Sequence, residues 1–414
     1  VVELLRGLSG AVRRVVLLML TDAVLWGVWF GSMWMFRPAL ASRLAESYSD
    51  VNLVVSIPLL VAAVVQYLAG SSEGCRRFIS AHRLWLMRLV TLVVRPMNLA
   101  IALVLYLELL EGRQLLYAVA ALFTLSNALG AFGGIAWSDY VGANIPGWFK
   151  PRFAGLDSMI SNIGSLGGTV LAGYLLGSSH GVRDYGLVFL IGSAAYIAGL
   201  PIPFMLVETG AEEAEARMVH RSRGVRGARL YAAVSLALFA INLPMSIAVP
   251  YIMRVWRGDE TWVAVINASS WIASIATPMM WSALVEKLGA LRAAGLSVGL
   301  AIATNVAFPF MPTVELQGLR AFLGGAAGTG IWVTLFSFLI SDVEPRYRVF
   351  HSSMLFAVQN AVPAVAMSAG AALADATGFP ELVFWLSSLG LVSIPLLRSS
   401  TTGTGAPSRE RTSP

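Results

Sequence analysis

Apolar runs of about twenty residues follow one another along almost the whole chain, and they restrict its fold more than any motif does. A helix crossing a bilayer needs about 20 mostly apolar residues. Runs of that order lie at roughly 15–38, 52–70, 84–110, 114–137, 153–177, 185–206, 230–254, 262–284, 293–312, 319–341, 350–374 and 381–397. Hydrophobic types make up 57% of the 414 residues, against roughly 45–50% in a soluble domain. A soluble chain of this size divides into domains joined by polar linkers, and the connections here are too short for that. Lipid offers no partner for free backbone groups, so each span must be helical. The expected fold is an all-α membrane protein with about twelve transmembrane helices.

One connection is long. Residues 207–229 read VETGAEEAEARMVHRSRGVRGAR, first acidic and then basic, midway along the chain. This segment is expected to link an N-terminal six-helix bundle, 1–206, to a C-terminal one, 230–398, with a disordered polar tail over 399–414. With both termini on one side, that side collects about 20 of the 29 Lys and Arg residues. Such a bias sets orientation. A multi-pass protein of the cell membrane is expected, with both termini cytoplasmic. The formal net charge of +6 is thus a topology signal, with lipid headgroups as secondary partners and no nucleic acid. The first apolar run has the length of a full span and no small-residue cleavage pattern, so a retained span is expected there.

Cys75 is the only cysteine, and His82, His180, His220 and His351 are scattered. No metal site, no cofactor and no enzymatic cluster is expected from them. A phosphate-cradling G-x-x-x-x-G-K-[ST] run is missing, so an ion gradient is the expected energy source rather than ATP.

The two halves echo each other. The end of the fourth span reads AWSDYVGANIPGWFKPRFAGL and that of the tenth LISDVEPRYRVFHSS. Ser138-Asp139 matches Ser341-Asp342, Pro146 matches Pro345, and Arg152 matches Arg348. Internal repeats of this kind mark transporter folds. Between the eighth and ninth spans stands WSALVEKLGALRAAGL. It resembles the major facilitator superfamily signature G-x-x-x-D-[RK]-x-G-[RK]-[RK]. Ser282 stands at the first Gly, Glu286 at the Asp, Lys287 at the first base and Gly289 at the second Gly. Arg292 lies just past the last basic positions, which Ala290 and Leu291 occupy. The equivalent stretch of the first half, GSSEGCRRF, has the charges Glu73, Arg76 and Arg77 without the spacing. In the fifth span, Gly155, Gly164, Gly168 and Gly173 fall on the superfamily's antiporter spacing, G-x8-G-x3-G-P-x2-G-G. Thr169 replaces the Pro and Ala172 one Gly. Glycines at such intervals also serve plain helix packing.

The resemblance implies two pseudo-symmetric bundles rocking about a midplane site, with the 282–292 motif as a conformational gate. Ionisable residues inside spans are costly and point to function. Asp22, two turns into the first span, is the candidate proton carrier, as first-span acids are in proton-moving members of that superfamily. Arg95, deep in the third span, needs a counter-ion or an aqueous cavity; Asp22 is one candidate partner, and Arg95 is also a candidate solute-cavity residue that could bind an anionic substrate. Asp157 is expected to pair with Lys150 or Arg152, and Arg37 and Arg254 to sit at the membrane interface. Trp26, Asn127, Asn162, Asn242, Asn267, Trp332, Gln359 and Asn360 are candidates to line a solute cavity, with Trp29 and Trp271 as further ring surfaces. Pro244, Pro250, Pro278 and Pro363 are expected to kink their helices. The expected function is secondary transport of a small solute by a monomer, with proton-coupled export favoured by the motifs. Uptake by uniport or symport, or a non-transporting membrane sensor or scaffold, are the alternatives.

Overall fold

The computed structural model describes residues 7–44, 53–177, 181–210, 227–257 and 260–399. Most of the expected linker (211–226) and of the expected tail (400–414) therefore lies outside the described residues. The described chain is helical throughout. Eleven of its helices are long and apolar enough to cross a membrane, from Gly10–Ala41 to Glu381–Ser399. The remaining expected crossing, the eighth, is built from two shorter helices, Glu260–Ala276 and Pro278–Leu288. Pro278 lacks the N–H that would continue the first of them. Several helices outrun their apolar stretches. The fourth continues to Asn144 and the eleventh spans Pro345–Thr377, so both carry polar ends beyond the hydrocarbon layer.

Of the four prolines expected to kink helices, two interrupt one. Pro244 separates Gly227–Asn242 from Met245–Arg254, and Pro278 divides the eighth crossing. Pro363 is carried inside an unbroken helix, and Pro250 lies within Met245–Arg254. The first span instead loosens without proline, through a π-helical turn at Phe30–Trp34.

The first and fifth spans pack closest, through glycine on both sides. A Cβ on Gly27 or Gly31 would run into the carbonyls of Ser161 and Ser165. A Cβ on Gly164 or Gly168 would meet the carbonyls of Val24 and Val28. Close backbone approach of this kind drives helix association where there is no water to expel.

The first six crossings form one bundle and the last six the other. They meet along two seams, the fifth span against the eighth and the second against the eleventh. On the face bearing the described chain ends, here the terminal face, the buried core is continuous across both bundles, from Val12 to Leu397. Toward the opposite face it divides. One cluster there, with Trp29, Leu40 and Phe189, belongs to the first bundle alone. The other, with Leu243, Phe308 and Phe384, belongs to the second.

Candidate functional site

A stripe on the first span leads to the seam between the bundles. Asp22, Trp26 and Phe30 are spaced four apart, so they share a helix face. Trp26 is 38% exposed and stacks on Phe30 at 4.9 Å. Phe30 meets Trp271 of the eighth crossing edge-on at 6.1 Å. The Trp271 indole N–H donates across the seam to the Thr169 hydroxyl at 3.1 Å.

At the base of the stripe Asp22 accepts from Arg95 at 2.6 Å, which realises the pairing that the sequence left open. The guanidinium is 3% exposed, the carboxylate 30%. Arg95 also donates to the Tyr196 carbonyl at 2.7 Å and lies 4.5 Å from that residue's ring. Its Nε has no hydrogen-bond partner. Gly199 permits the arrangement, because a Cβ there would overlap both Arg95 and Asp22. Asp22 supplies Arg95 with a countercharge only while it is ionised, whereas the Tyr196 carbonyl stays available in either state.

The other polar candidates divide. Asn162 donates to the Ser274 carbonyl at 2.9 Å and Asn360 to Gln66 at 2.9 Å, so each ties one bundle to the other. Asn127 and Asn242 donate back to their own helices, to Phe123 and Leu238. Asn267 and Gln359 are half-buried. Trp332 belongs to an aromatic stack that the sequence did not reveal. Its ring stacks on Phe336 at 5.5 Å and reaches Phe356 at 6.4 Å, and Phe336 stacks on Trp137 of the first bundle at 4.9 Å.

Below this stack the terminal face is closed by charges. Asp139, 2% exposed, lies 3.2 Å from Arg83 and 4.0 Å from the equally buried Arg348 of the second bundle. Gly142 makes room for Arg348. Arg83 forms a fork with Glu208, both contacts at 2.9 Å, and Glu208 accepts from Asn144 at 2.7 Å. The chain leaving the sixth span is thereby strapped to the third and fourth. Arg83 and Glu208 were visible in the sequence only as charges at span ends. Gln66 was findable as a lone amide in an oily helix.

Part of the 282–292 motif joins this closure. Ser282 donates to the Pro151 carbonyl at 2.9 Å, and Glu286 meets Arg152 at 3.3 Å. Gly289 turns the chain at φ +84°, which favours glycine. Lys287 and Arg292 are exposed. The matched arginines of the repeat, Arg152 and Arg348, thus each reach an acid of the opposite bundle. Among the antiporter-like glycines, Gly164 and Gly168 seat the first span and Gly155 admits Ser282, Met279 and Pro278 of the eighth. Gly173 is half-buried near the far end of the same helix.

One expectation fails, that for Asp157. Arg37 is 2% exposed, with its guanidinium 3.6 Å from the Trp34 ring centre, at the start of the short helix Arg37–Leu44. The side chain of Arg254 lies outside the described ones. Asp157 pairs with neither Lys150 nor Arg152. Seven residues of helix separate it from Lys150 by about 10 Å along the axis, and Arg152 turns to Glu286 instead.

No protein-family model matches this sequence, and no curated protein sequence matches it. Solved structures do share its architecture. The human organic anion transporter MFSD10 (TETRAN) superposes with a TM-score of 0.69 at 14% identity, over 94% of this chain and 100% of that one. The major facilitator superfamily proton:xylose symporter XylE, bound to 6-bromo-6-deoxy-D-glucose, gives 0.65 at 12% identity, over 94% and 95%. A bacterial homologue of the iron transporter ferroportin, outward-facing, gives 0.64 at 15%, over 93% and 98%. The chain has the major facilitator fold.

Proposed function

We propose that this protein is a secondary active transporter, moving a small solute by alternating access of its two bundles and coupled to protons through Asp22 and Arg95. The observation that carries this reading is the Asp22–Arg95 pair, one member 3% and the other 30% exposed, on the helix face that meets the second bundle at Trp271. Protonating Asp22 removes the countercharge of Arg95. The guanidinium then keeps the Tyr196 carbonyl alone. A buried charge that loses its partner is unstable by several kcal/mol, which is enough to bias a two-state rocking equilibrium. The closed terminal face is assigned to the cytoplasm by the charge bias of its connections. In that orientation this state faces outward.

The substrates named for the three structural neighbours are organic anions, a sugar and iron, so the fold does not select a solute class. The ring surfaces of Trp26, Phe30 and Trp271 favour a solute with an apolar or ring-bearing body. Proton-driven export is the favoured direction. The test is transport in proteoliposomes under an imposed pH gradient, with a substrate found by thermal-shift screening of purified protein. Asp22→Asn is expected to abolish gradient-driven accumulation while leaving exchange of solute intact. Accumulation at the unaltered rate would refute the coupling role.

A further inference from the structure

Asp157 is a carboxyl group the proposed cycle does not yet use. It lies in the fifth span, 9% exposed, and makes no ion pair or hydrogen bond among the described residues. Its helix is clamped on two sides. One turn further on, Ser161 meets Gly27 of the first span, and two residues before it Gly155 meets Ser282 and Pro278 of the eighth. Asp157 therefore sits where a movement of the second bundle bears directly on the first.

The ionisable groups around it are few. From the first span comes Asp22, five residues before Gly27, at about the level of Asp157, which stands four residues before the Ser161 that Gly27 meets. Behind Asp22 stand Arg95 of the third span and Tyr196 of the sixth. The helix of Asp157 itself carries Lys150, two turns away, and Arg152, which faces Glu286 of the eighth crossing. The tenth span carries Glu315 and Arg320 near its opposite end, and Asp342 closes the π-helical turn that continues it. The eighth crossing adds Lys287 and the first span Arg13 and Arg14, all exposed. At the level of Asp157 there are thus two carboxyls, Asp22 and Asp157, and one guanidinium, that of Arg95, which is bonded to Asp22. An unpaired carboxylate in such surroundings is neutralised rather than kept charged.

We propose that Asp157 carries a proton in this state, as the second carboxyl of a site in which Arg95 is the only positive charge. The bound proton comes from water and returns to it when the eighth crossing moves away from Gly155. This deepens the transport reading by adding a second titrating group, but the proton itself is measurable without any substrate.

The test is infrared spectroscopy of the purified protein in nanodiscs at neutral pH, using the deuterium-sensitive C=O stretch of a protonated carboxylic acid. The wild type is expected to show the band and Asp157→Asn to lose it. Arg95→Gln, which leaves both carboxyls without a countercharge, is expected to gain a second. If Asp157→Asn does not fold, Asp157→Glu keeps the group and must shift the band rather than remove it. A band of unaltered area and position in the Asp157 variant overturns the proposal, as does its absence from the wild type. Either result leaves the Asp22 transport test standing, and failure of that test leaves this one standing.

Discussion

Replacing Asp139 by Asn should open the terminal face. In the structure its carboxylate lies 4.0 Å from the Arg348 guanidinium, and both groups are 2% exposed. Two unit charges at that separation attract by about 4 kcal/mol at an effective dielectric constant of about 20. Asp139 is shared with Arg83, which stays beside it at 3.2 Å within the same bundle. Taking roughly half of the attraction as the part lost on separating the bundles leaves about 2 kcal/mol. That corresponds to about a 30-fold rise in the open population. Ser353, fully buried against Gly70 at the seam of the second and eleventh spans, reports it. A Ser353→Cys protein lacking the exposed Cys75 should react with a polar alkylating reagent only when that seam parts. Adding Asp139→Asn should raise the alkylation rate by about the same 30-fold factor. A rate within about threefold of the parent, where two-thirds of the predicted free energy is missing, would refute the reasoning.

Gly164→Ala should lower the thermal midpoint in detergent, since its methyl meets the Val24 carbonyl, at a cost of about 1–3 kcal/mol. Gly167→Ala on the same helix, where a Cβ meets nothing within 4 Å, should leave the midpoint unchanged. Gly289→Ala, at φ +84°, should destabilise the eighth-to-ninth turn by about 1 kcal/mol, read as a lower midpoint with the helical circular-dichroism signal retained.

Span count and the internal repeat were legible because lipid imposes one requirement on every segment, an apolar run closed by its own backbone bonds. The broken eighth crossing was not, since Pro278 leaves the apolar composition intact while cutting the helix. Asp22 and Arg95 were recognisable one by one, as charges in costly places. Their contact depends on the rotation of the first, third and sixth spans, which Gly199 permits and sequence periodicity does not state. Asp157 shows the same limit from the other side. Nearby bases in sequence suggested an ion pair, but helix geometry puts Lys150 two turns away and sends Arg152 across the seam. The Trp137–Phe336–Trp332 stack was hidden because each ring alone reads as ordinary helix packing.

The central claim is that protonation of Asp22 shifts the two bundles between opposite openings. Double electron–electron resonance on spin-labelled pairs measures this without a substrate. On the terminal face, labels at Glu73 and Lys287 report one opening, and on the far face labels at Leu109 and Leu316 report the other, all at exposed positions in a Cys75-free protein. Lowering the pH is predicted to lengthen the first distance while shortening the second, and Asp22→Asn to hold the acidic distribution at every pH. Distances that ignore pH, or that lengthen together on both faces, would contradict the account.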